Sequence, residues 1–186
     1  MQTGDGASSR RSRAAAMAIA VGMGLWGAPG GAAAQEAQIQ CNVTENGSPS
    51  NGTVAVVQDG QTVGSGSCRR ILSVPAGKSK VIVHLDGALD NPAQTVEVTA
   101  VAGKTTPVAV DFQTAVLEVR IEARDQRGTG LVAVEKDGKR IGTLGSGVAA
   151  RLSAGAYVVV VRLGGAEQRH AVDLRPGQRR IIRAQF

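Results

Sequence analysis

Leu152-Ser153-Ala154-Gly155-Ala156-Tyr157-Val158-Val159-Val160-Val161-Arg162-Leu163 is a Gly-centred turn feeding a run of β-branched residues. Such side chains are stiff at χ1 and fit a pleated surface, so the stretch predicts a well-buried strand. The same device stands earlier as Val74-Pro75-Ala76-Gly77-Lys78, followed by Val81-Ile82-Val83-His84-Leu85. The echo predicts one unit written twice, and the rest of the chain supports that reading.

Set against itself with a shift of 78, Ile39-Gln40-Cys41-Asn42-Val43 falls on Leu117-Glu118-Val119-Arg120-Ile121. Asp59-Gly60 falls on Asp137-Gly138, and Ala76-Gly77 on Ala154-Gly155. The shift then becomes 74, and Gly103 meets Gly177 and Phe112 meets Phe186. The lost residues lie around Gly164-Gly165, where the first copy has 86–92. A gap at a Gly-rich turn with strands preserved on both sides is the mark of a duplication.

Each copy reads as about seven short strands at 8–12-residue spacing, a signature of sandwiches and barrels. Residues 37–44 alternate, with Ile39, Cys41 and Val43 inward. Residues 54–58 and 61–64 form a hairpin around Asp59-Gly60, and 131–136 and 139–144 one around Asp137-Gly138. Residues 116–123 alternate with Glu118, Arg120 and Glu122 outward. No segment keeps a 3.6-residue period. The predicted fold is all-β: two tandem, homologous, small antiparallel β-sandwiches of immunoglobulin or prealbumin type, over residues 35–112 and 113–186. Aromatic residues are one Trp, one Tyr and two Phe, so valine must build thin cores. Almost no linker separates the copies at Gln113-Thr114, so they should abut with little freedom.

Residues 1–34 read as a secretory signal peptide. Arg10, Arg11 and Arg13 form its positive region, 14–26 its apolar region, and Ala32-Ala33-Ala34 its cleavage site ahead of Gln35. An uncleaved anchor is the alternative, but the run falls short of the ~20 residues a bilayer needs, and Gly22, Gly24 and Gly27 weaken it. The mature chain is therefore expected to be exported, periplasmic or extracellular, with no transmembrane segment. Cys41 and Cys68, the two cysteines, lie in the exported part. An oxidising compartment favours a disulfide between them over two buried thiols.

The turn-strand-turn-strand pattern of Pro75-Ala76-Gly77 with 81–85, and of Ser153-Ala154-Gly155-Ala156-Tyr157 with 158–163, resembles the PEGA-type and carboxypeptidase-regulatory-like modules of bacterial exported proteins. The likeness departs at Ser153, which replaces the proline, and at Lys78-Ser79, which replaces the aromatic position. It implies small β-sandwiches acting as spacers or binding attachments without catalysis.

Charge divides unevenly. Residues 35–112 carry five Lys/Arg against seven Asp/Glu, net −2, and residues 113–186 carry thirteen against seven, net +6. Arg169, Arg175, Arg179, Arg180 and Arg183 collect at the end of the chain, Arg179 and Arg183 on one strand face and Arg180 on the other. Such a ladder can grip phosphate, sulfate or carboxylate groups. Protection of an edge strand by positive charge is the simpler explanation and accounts for these residues adequately. Nucleic acid would require stacking aromatics, which this half lacks beyond Tyr157 and Phe186. Asp86, Asp90 and Asn91 gather in the loop unique to the first copy, as an ordinary turn or, less simply, a calcium loop without EF-hand spacing. His84 reads as a surface or interface histidine and His170 as a partly buried structural one. Neither is spaced from a nucleophile and carboxylate as a triad requires. No catalytic residue, cofactor or metal site is expected. The expected role is a non-enzymatic structural or protein-binding component of the cell envelope, its partner a protein or glycan. The alternative is a carbohydrate- or polyanion-binding protein, or one seated on an anionic surface, that uses the basic second half.

Overall fold

A computed structural model describes residues 35–123 and 130–186, so the leader expected at 1–34 lies outside the described residues. The described chain is all-β. In the first half the strands are β1 (Glu36–Glu45), β2 (Ser48–Pro49), β3 (Gly52–Gln58), β4 (Gln61–Ser67), β5 (Ile71–Pro75), β6 (Gly77–Leu85), β7 (Ala93–Ala100) and β8 (Thr105–Phe112). In sheet 1, β1 has β8 on one side and β5, then β2, on the other; sheet 2 runs β4-β3-β6-β7. The second half comprises β9 (Thr114–Glu122), β10 (Leu131–Lys136), β11 (Lys139–Leu144), β12 (Ala149–Ser153), β13 (Gly155–Leu163), β14 (Ala166–Leu174) and β15 (Arg179–Gln185). Sheet 3 runs β12-β9-β15 and sheet 4 runs β11-β10-β13-β14.

Alternation builds both cores. β1 buries Ala37, Ile39, Cys41 and Val43 and exposes Gln38, Gln40 and Asn42. β13 buries Tyr157, Val159, Val161 and Leu163 in the same way. Its Val160 is buried too, although it points out of the sandwich. Val160 sits between Ala133 on β10 and Arg169 on β14, and the Arg169 guanidinium reaches across β13 to donate to Glu135 at 2.6 Å. The arginine stem thus roofs the outer valine, which is how a four-valine run is accommodated in a two-faced strand.

The halves correspond strand for strand. β5 and β12, and β6 and β13, are offset by 78 residues at both ends, while β8 and β15 begin 74 residues apart. The pairings correspond as well, including a parallel ladder between the first and last strand of each half, β1 with β8 and β9 with β15. Alternation alone does not specify that parallel ladder. Both first hairpins carry a register shift at equivalent places, Val56/Val57 and Val134/Glu135. Their turns place Asp59 and Gly60 at φ 48° and 79°, and Asp137 and Gly138 at φ 50° and 73°. Two successive residues at positive φ define the turn whose twist matches a hairpin, which is why Asp-Gly stands at both places.

Cys41 and Cys68 form a disulfide across 27 residues. It ties β1 to the segment after β4, where β1 has left β5 and has not yet met β2. The second half closes the matching place with hydrogen bonds, Gly147 N–H to the Val119 carbonyl at 2.7 Å and Ile121 N–H to Ser146 Oγ at 3.0 Å.

The loop at residues 86–92 has seven residues where its counterpart has two, Gly164 and Gly165. It does not hang free. Leu89 packs against the core of the second half, where Gly142 leaves room for it; a Cβ on Gly142 would meet the Leu89 side chain at 2.5 Å. Leu89 N–H donates to the Arg151 carbonyl at 2.8 Å. The Asp90 carboxylate accepts from Ser153 N–H at 3.1 Å and from the Tyr157 hydroxyl at 3.3 Å. Burial, then Asp90, raises the Tyr157 phenol far above its ordinary pKa. Arg151 donates to Glu45 at 2.5 Å and to the Asp86 carbonyl at 2.6 Å. Asn46 and Thr114 exchange two hydrogen bonds, 3.1 Å and 3.0 Å, at the crossing point of the chain. The loop read as a turn or calcium loop is therefore a clasp between the halves: Asp90 is spent on Ser153 and Tyr157, and Asp86 contributes its carbonyl.

Candidate functional site

The five arginines singled out from the sequence do not form one cluster. Arg179 and Arg183 lie on the outer face of sheet 3, opposite Val116 and Arg120 of β9. Arg180 has the parity of the core residues Ile182 and Ala184, at the exposed start of β15. Arg175 stands in the turn before β15, and Arg169 lies on the outer face of sheet 4. Three of the five meet carboxylates. Arg169 bridges Glu135 and Glu167, Arg179 meets Glu118 at 2.6 Å, and Arg183 stands 3.7 Å from Glu122.

Two arginines outside the five join the outer face of sheet 3: Arg120 on β9, which alternation already turns outward, and Arg151 on β12, across from Val116. The signal that finds them is strand register, not proximity in sequence. At the centre lies Glu118. It points outward, as alternation requires, yet it is 3% exposed, contrary to the expectation of a solvated charge. Arg120 Nε donates to one of its oxygens at 2.7 Å and Arg179 to the other at 2.6 Å. Those two hydrogen bonds, Arg179's foremost, hold the Glu118 carboxyl below the ordinary range. Both arginine side chains stay about half exposed, 49% for Arg120 and 60% for Arg179. The equivalent face of sheet 1 has Gln40, Asn42, Ser73, Thr105 and Ala109, so the first half offers no such charge.

The two halves also share a shallow cleft beside the hairpin turn. In the first it is about 580 Å³, lined by Asp59, Gly60, Lys78, Lys80 and Glu97 among others. In the second it is about 570 Å³, lined by the equivalent Asp137, Gly138, Ala156, Val158 and Ala171. Position is preserved and chemistry is not, so the cleft follows from the fold and not from a shared ligand. His84 and His170 are both half-buried, each with one ring nitrogen, Nδ1 and Nε2 respectively, buried without a hydrogen-bond partner. Among the described residues no group of three His, Cys, Asp or Glu is arranged to hold a metal ion, and no helix is long and apolar enough to cross a membrane.

No family model matches this chain, and no curated protein sequence does. Among solved structures, an adhesin candidate from Bacteroides ovatus is similar over 73% of this chain and 76% of its own, at 11% identity and TM-score 0.40. The minor pilin GBS52 of Streptococcus agalactiae is similar over 81% of this chain and 94% of its own, at 11% identity and TM-score 0.35. The Bacillus anthracis TIE protein is similar over 82% of this chain, at 14% identity and TM-score 0.34, and this chain spans 34% of its length.

Proposed function

We propose that the chain is a non-enzymatic exported component of the bacterial cell envelope, two β-sandwiches fastened into one stiff unit that holds or spaces a partner. The observation that carries this reading is the clasp of residues 86–92. Leu89, Asp90 and Arg151 join the halves through apolar contact, hydrogen bonds and an ion pair at once. A joint of that kind suits a spacer or binding attachment, where the two ends must keep their relation. The Cys41–Cys68 disulfide fits an oxidising compartment. The likeness to PEGA-type and carboxypeptidase-regulatory-like modules belongs to the same reading. The alternative, a polyanion grip on the outer face of sheet 3, draws on Arg120, Arg151, Arg179 and Arg183. Glu118, Glu122 and Glu45 offset most of that charge, which weakens it.

The test is cell fractionation followed by intact mass measurement. A chain beginning at Gln35, lighter by two hydrogens and recovered from periplasm or medium, supports the reading. A full-length cytoplasmic chain with two free thiols overturns it.

A further inference from the structure

The backbone of β15 has one satisfied side. Gln178 C=O accepts from Val116 N–H and Phe186 N–H donates to Glu122 C=O, so the even-numbered residues face β9. The odd-numbered ones, Arg179, Ile181 and Arg183, turn their N–H and C=O groups to the other side, where no strand pairs with β15 among the described residues. Gln185 is different, because Gln168 Nε2 caps its carbonyl at 2.5 Å. The opposite edge of sheet 3 is covered, since β12 receives Leu89 and Asp90 of the clasp.

The first half shows how such an edge is guarded. There β8 occupies the place of β15, and Pro107 stands where the second half has Ile181, in the same register against β1 as Ile181 against β9. A proline on the free side loses no ladder hydrogen bond and cannot donate to an incoming strand. In β15 that guard is gone. Ile181 supplies an N–H and an apolar side chain that is 40% exposed, flanked on the same face by Arg179 and Arg183.

We propose that the free edge of β15 takes up an extended segment of a partner protein by strand addition, and that the segment reads acid, any, apolar, any, acid. This rests on the reading of the chain as a binding module and assigns the site within it. Backbone groups of Arg179, Ile181 and Arg183 supply the ladder, and the three side chains set the choice of partner. A second copy is rejected by the same residues. Antiparallel pairing of β15 with itself about Ile181 sets Arg179 against Arg183 at both flanks, and like charges directly opposed are unfavourable. Arg179 and Arg183 already face Glu118 and Glu122, yet their side chains stay 60% and 64% exposed, so an acidic residue at each flank still meets a guanidinium.

The probe is the peptide Thr-Glu-Thr-Val-Thr-Glu-Thr added to the isotope-labelled chain and followed by amide chemical shifts. Shifts are expected at Arg179, Ile181 and Arg183, saturating near or below about 1 mM and weakening with salt. Ile181→Pro copies the guard of the first half and should abolish them while the remaining spectrum stays dispersed. Arg183→Glu, whose side chain is exposed, keeps the backbone donors and should weaken binding about tenfold. The peptide with Lys in place of Glu should not bind. Equal binding to the Ile181→Pro variant, or shifts confined to another strand, overturns the edge site and leaves the binding-module reading standing. Absence of any shift at about 5 mM overturns the proposal. So does a sulfated polysaccharide that binds wild type and Ile181→Pro alike and displaces the peptide, since the arginines would then act as a plain anion patch.

Discussion

Arg151 on β12 holds the Glu45 carboxylate of β1 with one nitrogen and the Asp86 carbonyl with another, at 2.5 and 2.6 Å. One side chain of the second half thereby grips both a strand end and the clasp loop of the first. Replacing it by alanine leaves Glu45, which is only partly exposed, with Thr114 and Ser50 as its remaining partners. Arg151→Ala should lower unfolding stability by about 1–2 kcal/mol. Urea titration measures the loss, and small-angle scattering should show a wider spread of inter-half distances than in wild type. An unchanged scattering profile would mean that Leu89 and Asp90 hold the joint without it.

Leu89 fills the space above Gly142, and Gly142→Ala would put a methyl group into the leucine. The clasp then has to lift, at an expected cost of about 1–3 kcal/mol. Leu89→Ala, which vacates a half-buried site, should cost about 1–2 kcal/mol. The double variant should recover part of the Gly142→Ala loss, because the new methyl then has room. Additive losses would separate the two residues.

Val81 and Val159 are equivalent in the two halves, and both are 0% exposed. Each truncation to alanine should cost a similar amount, about 2 kcal/mol. Denaturant unfolding of the two variants checks this; a difference larger than the cost itself would show that the cores are packed on different plans.

The Glu118 carboxyl titrates below its ordinary value of 4.5 because Arg179 and Arg120 bond to its ionised form. A carboxylate held low in the folded state stabilises the fold above its unfolded value, and that contribution disappears as pH falls through the folded one. Wild type should therefore lose stability relative to Glu118→Gln below about pH 4.5, with the gap largest at neutral pH. Thermal unfolding of both proteins from pH 7 to pH 2 measures it. A constant gap would place the effect in packing.

Cys41→Ala with Cys68→Ala opens the covalent loop and should cost about 3–4 kcal/mol in the chain-entropy picture. Calorimetry of the double variant gives the figure. A fall of less than 1 kcal/mol would mean that hydrogen bonds close this end of the first half, as Gly147 and Ser146 do in the second.

Much of this architecture is legible in local sequence, for physical reasons that also mark where legibility ends. Period-two alternation in β1 names Ile39, Cys41 and Val43 as core, and Asp-Gly at 59–60 and 137–138 names both hairpins. These are local signals, and the fold keeps them. The duplication shift locates the clasp loop as an insertion, but its role depends on where Leu89 and Asp90 land in space, more than fifty residues along the chain. The arginines show the same limit. Composition finds a basic end and parity splits Arg179 and Arg183 from Arg180. Only register brings Arg120 and Arg151 beside them and buries Glu118 beneath. The contrast between Pro107 and Ile181 was present in the repeat alignment. It acquires meaning once the parallel ladder shows which way each amide points.

The loop at 86–92 also sets a limit on counting. Seven residues give the first sandwich an arm, and two glycines leave its twin with a stump. A third unit appended by the same repeat would find no arm reaching toward it, so this form of coupling stops at a pair and cannot propagate into a chain of beads.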